Sequence, residues 1–159
     1  MAELAVTASA AVSAPPDRVW ELLCDTSRYA EWVAGTDEVT RTDGPAREGS
    51  TYDEVNPILG PWKAKSRWTV TEFNPSRRQV HRGDGLPLTS SFEVVMEVAP
   101  VGDSASEVTL SLRGTSSAGP LGAAFAKLMT GQVDRDNRRT VQQFAELAAT
   151  ELSPAARGA

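Results

Sequence analysis

Residues Pro120 to Leu152 constrain this chain most, because they read as one long C-terminal helix. On a helical wheel Leu121, Phe125, Leu128, Met129 and Val133, and then Thr140, Val141, Phe144, Leu147 and Ala148, fall broadly on one side. At about 1.5 Å per residue such a helix runs about 50 Å, and its apolar side needs a partner. Everything before it reads as short strands, so the natural partner is the concave face of a curved sheet. Function then lies in what sheet and helix enclose. Between Gly131 and Arg139 the stripe thins, and Asp136 occupies a place where leucine is expected. Two readings stay open. A bend at Thr130 and Gly131 turns Asp136 to solvent while Asp134 and Arg138 pair at i,i+4, or a partly polar cavity lies beneath the helix.

The segments that must supply the sheet follow in order. Leu4, Val6, Ala8, Ala10 and Val12 alternate with small or polar residues, the period of a strand with one covered face. Pro15 and Pro16 close it and start a short helix, Asp17 to Cys24, that buries Val19, Trp20, Leu22 and Leu23. Asp25, Thr26 and Ser27 offer caps for a second short helix, Arg28 to Val33. A meander follows: Glu38 to Thr42, Ser50 to Asn56, Trp62 to Phe73, Arg77 to Arg82, Thr89 to Ala99 and Glu107 to Thr115, separated by Gly, Pro, Asn and Asp clusters. With the first strand these make seven, and the order places the chain in the α+β class with its helices on one face of the sheet.

Pairing decides which side chains point inward. A turn at Pro57 to Pro61 sets Glu54 opposite Ala64 and Tyr52 opposite Ser66, with Asp53 facing Lys65 on the outer face as an opposite-charge pair. Lys63, Lys65 and Arg67 then point to water. A turn at Val101 to Ala105 sets Val98 against Val108, Met96 against Leu110 and Val94 against Leu112, with Glu93 meeting Arg113 outside. Both hairpins send even-numbered residues inward.

Composition removes several classes of function. A net charge of -5 with no Lys/Arg cluster disfavours nucleic acid, and acidic substrates are not favoured either. The single cysteine, Cys24, makes no internal disulfide, and with only His81 to accompany it no metal-ligand spacing exists. No metal and no cofactor are therefore expected. The first twelve residues lack the pattern of a signal peptide, and no apolar run is long enough to span a membrane. The expected setting is a reducing cytoplasm, with residues 1–152 as one domain and 153–159 as a disordered tail. Whether the chain is a monomer or a homodimer is open.

Three stretches resemble the START-like, or SRPBCC, superfamily of helix-grip proteins. They are Val12 to Leu23 followed by Tyr29 and Trp32, then Trp68-Thr69-Val70-Thr71-Glu72-Phe73-Asn74-Pro75, and finally Asn137 with Val141 to Glu146. The likeness covers nearly the whole chain and is strongest to the branch of polyketide cyclases/dehydrases and lipid transport proteins. It implies a seven-stranded antiparallel sheet wrapped round the long helix, with an apolar cavity between. In single-domain cyclases of this kind the strand matching Trp62 to Val70 presents Trp, Trp, Ser and a catalytic Arg inward. Here those positions are Trp62, Ala64, Ser66 and Trp68, so an indole stands where the resemblance implies a cation.

Candidate chemistry is sparse. Glu54 is the one strand carboxylate sent inward, where burial would raise its pKa and suit it to act as acid, base or ligand anchor. A register one residue off would instead leave it on the surface. Tyr52 and Ser66 form a proposed polar pair, Trp62 and Trp68 line the cavity, and Phe92, Val94 and Met96 continue the wall. Leu110 and Leu112 face them, and Phe125, Met129 and Val133 close the cavity from the helix. Trp20 and Trp32 read as helix packing, Cys24 as a small buried hydrophobe, and His81 as a solvent-facing residue on a polar strand. The primary expectation is a module that binds a small hydrophobic or amphipathic molecule. The alternatives are a cyclase or dehydratase using Glu54, Tyr52 and Asp136, and a protein-interaction subunit with a filled core.

Overall fold

The computed structural model describes residues 3–117 and 119–152. The tail expected at 153–159 lies outside the described residues. The order is β1 (Glu3–Val12), α1 (Pro16–Cys24), a 3-10 turn (Thr26–Arg28), α2 (Tyr29–Trp32), β2 (Glu38–Thr42), β3 (Thr51–Leu59), β4 (Trp62–Asn74), β5 (Arg78–Asp84), β6 (Thr89–Val101), β7 (Ala105–Ser116) and α3 (Pro120–Glu151). All seven strands join one antiparallel sheet in the order β1-β7-β6-β5-β4-β3-β2. This is the α+β order read from the sequence pattern and the helix-grip arrangement that the resemblance implies.

Local chemistry sets the boundaries. Pro16 and Pro120 each stand in the first turn of a helix, where the missing N–H costs nothing, and Gly119 enters α3 at φ 101°, a conformation cheap only for glycine. The expected side-chain caps before α2 do not form. Ser27 Oγ donates to Asp25 Oδ1, and Thr26 Oγ1 turns to the Gly44 carbonyl, so both capping groups are already engaged. The first step is therefore a 3-10 turn.

The β6–β7 register is the expected one, Val94 against Leu112 and Met96 against Leu110. In β3–β4 the strands run further into the turn and absorb an irregularity between Pro57 and Leu59. Tyr52 consequently meets Trp68, Glu54 meets Ser66 and Asn56 meets Ala64. The register differs by two residues from the expected one. Since a strand repeats every two residues, inward parity survives, and the outer partner of Asp53 becomes Arg67 in place of Lys65.

α3 behaves as two halves. Its C-terminal half buries Thr140, Val141, Phe144 and Ala148, with the Phe144 ring edge-on to Trp32 at 4.9 Å. Arg28 ties this end down through ion pairs to Glu31 and Glu151. The N-terminal half stands over a cavity, leaving Leu121 71% exposed, against the expectation that it faces inward, while Leu128 is 62% exposed yet lines the cavity. The helix is uninterrupted across Thr130 and Gly131, where Thr130 Oγ1 donates back to the Ala126 carbonyl. The bend expected as one alternative is not part of the structure, although the Asp134–Arg138 pair is present at 3.0 Å.

Phe144→Ala should cost about 3 to 5 kcal/mol of stability in urea unfolding, the usual range for emptying a large aromatic site. A loss below about 0.5 kcal/mol, the size of a surface change, would show that the helix docks by another face.

Candidate functional site

The gap under the N-terminal half of α3 is a cavity of about 580 Å³. Its walls come from the inner face of the sheet, the segment after α2 and α3 itself. Tyr52, Glu54 and Asn56 of β3, Trp68 of β4, and Phe92, Val94 and Met96 of β6 line it, as do Leu110 and Leu112 of β7. Phe125, Met129, Val133, Asp136, Asn137 and Thr140 contribute from the helix.

Large rings fit because small residues lie across from them. Trp68 pairs with Gly83 on β5, where an added Cβ would come within 2.8 Å of the indole, and Phe92 pairs with Gly114 on β7, where the clearance would be 2.9 Å. Inward parity alone does not reveal these ring-on-glycine pairs.

Two expected lining residues sit elsewhere. Trp62 is 46% exposed and packs at a tilt on Phe125, with ring centres 6.4 Å apart, outside the cavity lining, because it opens β4 beyond the sheltered part of the sheet. Ser66 is buried behind the wall instead of facing the cavity. It accepts a hydrogen bond from Trp68 Nε1 at 2.8 Å and donates to Asn56 Oδ1. The expected Tyr52–Ser66 pair is thus replaced by an Asn56–Ser66–Trp68 chain, a result of the register.

Glu54 is 4% exposed and accepts from Asn56 Nδ2 at 3.1 Å. Burial pushes its carboxyl up to about 7, against hydrogen bonding from Asn56, Thr36 and Trp68. Asp136, by contrast, sits at the rim and is ion-paired with Arg139 at 3.2 Å.

His81 is fully buried, which corrects the expectation of a solvent-facing residue. Past the irregularity between Val70 and Glu72, odd-numbered residues of β5 face inward, so Gln79, His81 and Gly83 lie on the concave side. Gln79 turns its Nε2 to Cys24 Sγ at 3.8 Å and its Oε1 to His81 Nε2 at 2.7 Å. That arrangement protonates Nε2 and leaves Nδ1 to accept from the Tyr52 hydroxyl at 2.7 Å. Burial drives the imidazole down to about 3, so it is neutral, and pushes the Tyr52 phenol well above its ordinary value. The Cys24 thiol is likewise pushed up to about 11 by burial.

Asn137 was legible only as part of a fold signature, yet it lines the cavity. Its Nδ2 donates to the Leu110 carbonyl at 2.9 Å, while its Oδ1 is buried with no hydrogen-bond partner among the described residues.

The model of the family described as polyketide cyclase/dehydrase and lipid transport matches residues 3–149. A Mycobacterium tuberculosis protein described as uncharacterised is 31% identical over 145 residues, spanning 89% of this chain and 96% of that one. Among solved structures, the Zhui aromatase/cyclase from Streptomyces sp. R1128 is similar at a TM-score of 0.78 and 19% identity, covering 97% of this chain and 98% of that one. A START superfamily protein from Mycobacterium smegmatis is similar at a TM-score of 0.59 and 15% identity, covering 87% and 97%. At such identities the structural likeness bears on fold alone.

Burial of Glu54 fixes the sign of a pH effect. With its folded pKa raised from 4.5 to about 7, the folded state holds more protons than the unfolded state between those values. Stability from this group is full below the unfolded pKa and is lost as pH rises through the folded one, by about 3 kcal/mol in all. Glu54→Gln should flatten that part of the stability profile. A carbon-13 titration placing Glu54 at an ordinary carboxylate pKa would mean that the residue is solvated and the β3 placement wrong.

Proposed function

Starting from the fact that the chain belongs to the polyketide cyclase/dehydrase and lipid transport family, we propose that it binds a small hydrophobic or amphipathic molecule, lipid-like or polyketide-like, between sheet and helix. The observation that carries this reading is the cavity of about 580 Å³, walled by aromatic and aliphatic side chains and holding few polar groups. That combination of size and lining is what small-molecule sites share. It weighs against a protein-interaction subunit with a filled core. In this reading residues 3–152 act as one ligand-binding unit. No helix among the described residues is long and apolar enough to cross a membrane. The single cysteine, Cys24, suits a reducing cytoplasm as the place where the proposed ligand is met.

A cyclase or dehydratase is the second reading, favoured by one observation. A buried carboxyl brought up to about 7 is poised to exchange a proton near neutrality, and Glu54 is such a group inside the cavity. Its proposed partners support catalysis less well. Tyr52 donates its hydroxyl hydrogen bond to a neutral His81, and Asp136 is held by Arg139 at the rim. Binding without chemical change is therefore the primary reading.

Native mass spectrometry of protein purified from its own host should show a co-purified small molecule that leaves on denaturation. Binding should also alter tryptophan fluorescence through Trp68, which lines the cavity, far more than through the outer Trp62. Trp68→Phe is expected to remove most of the ligand-induced change and Trp62→Phe little of it. The reverse ranking would place the ligand outside the cavity.

A further inference from the structure

The polar groups facing the cavity differ in what they have left to offer a ligand. Asn56 Nδ2 has spent both protons, on the Gly35 carbonyl at 2.9 Å and on Glu54 Oε2 at 3.1 Å. Trp68 Nε1 is taken up by Ser66 and the Glu54 carboxyl, and the Tyr52 hydroxyl proton by His81. Acceptors, however, remain open. Asn137 Oδ1 is buried and unpartnered among the described residues, and Tyr52 Oη keeps its lone pairs. Three residues along α3 from Asn137, Thr140 Oγ1 takes the Ala34 N–H at 2.9 Å and keeps its own proton to give.

Charge tells the same way. Glu54 is the buried carboxyl of the cavity, and its titratable neighbours Tyr29 and Tyr52 are held neutral by burial, as is His81 behind Tyr52. The cations that line the cavity, Arg135 and Arg139, are exposed at its rim and engage Gln132 at 3.1 Å and Asp136 at 3.2 Å. Within the buried part no cation among the described residues is available to neutralise an anionic ligand.

Building on the binding reading above, we propose that the cavity selects a ring-bodied ligand whose buried end is an uncharged hydroxyl, and rejects the matching carboxylate, with Glu54 and Asn137 setting the choice. A hydroxyl gives a proton to Asn137 Oδ1 and takes one from Thr140, which removes an unsatisfied buried acceptor. A carboxylate can take the Thr140 proton but sets its remaining lone pairs against Asn137 Oδ1, and it must shed its hydration in a cavity that already holds the Glu54 carboxyl. Tyr29, Tyr52, Trp68 and Phe92 supply ring surfaces suited to an aromatic or fused-ring body.

The experiment compares 1-pyrenemethanol, 1-pyrenecarboxylate and pyrene by fluorescence anisotropy against the full chain. At about pH 8 the alcohol should bind the wild type about tenfold tighter than the carboxylate, as expected for a site that pairs one headgroup and leaves the other opposed. Glu54→Gln should shrink that ratio to about threefold or less, and Asn137→Leu should bring the alcohol down towards pyrene. The wild type supplies a check that needs no variant to fold. Lowering the pH to about 5.5, where pyrenecarboxylate is still ionised but Glu54 is protonated, should narrow the gap in the same direction. Equal binding of alcohol and carboxylate at about pH 8 overturns the headgroup inference and leaves the binding reading standing if pyrene still binds. Failure of all three probes to bind overturns the binding reading beneath it.

Discussion

The docking of Phe144 against Trp32 organises the molecule, because it fixes one end of a long helix and leaves the other half spanning the cavity. Around this contact Val141, Ala148, Tyr29 and Leu23 are all buried, and Arg28 holds the helix end through Glu151. A rigid helix pinned at one end spans whatever lies beneath its other half. What opens between that half and the sheet is the cavity. The exposed Leu121 and Leu128, which look like misplaced core residues, follow from the same geometry: they belong to the half that bridges a void.

The inner face of the sheet is built to keep that void open yet satisfied. Gly83 and Gly114 admit the Trp68 and Phe92 rings without strain, so the wall is aromatic and smooth. Behind it, polar side chains are consumed in internal chains, Asn56 to Ser66 to Trp68 on one side and Tyr52 to His81 to Gln79 on the other. Each buried donor that finds a partner within the protein removes a penalty otherwise of about 1 to 3 kcal/mol. Asn137 Oδ1 is the exception on the cavity wall.

Fold was legible in the sequence because it rests on periodicity. The alternation in β1, the β6–β7 register and the single long helix all follow from apolar spacing, which acts over a few residues and tolerates error. The inward placement of Glu54 was legible for the same reason, as parity survived a register error of two. What stayed hidden depends on a count of residues through a turn or on geometry across the sheet. The irregularity between Val70 and Glu72 reverses parity on β5, so His81 could not be oriented from a strand carrying only one apolar residue. Asn137 looked like a packing signature, and its open oxygen appears only when its neighbours' hydrogen bonds are assigned. Trp62 followed the inward rule but lies where the strand has left the covered part of the sheet.

A buried carboxyl such as Glu54 is not explained by stability. Its neighbours Asn56 and Thr36 oppose the cost of burial only in part, which is why its pKa rises instead of falling as that of a paired surface acid does. Glutamine would fill the same volume without a charge to desolvate. Yet its amide would add donors, and a position offering acceptors alone could no longer be made from it. A carboxyl offers two acceptor oxygens when ionised and a single donor when protonated, and at a pKa of about 7 both forms are populated near neutrality. Holding it there costs stability that a filled apolar core would regain by replacing it. The position of Glu54 therefore sets a group that is costly to the fold on the wall of the cavity, and the proposed binding of a ligand there accounts for its being kept.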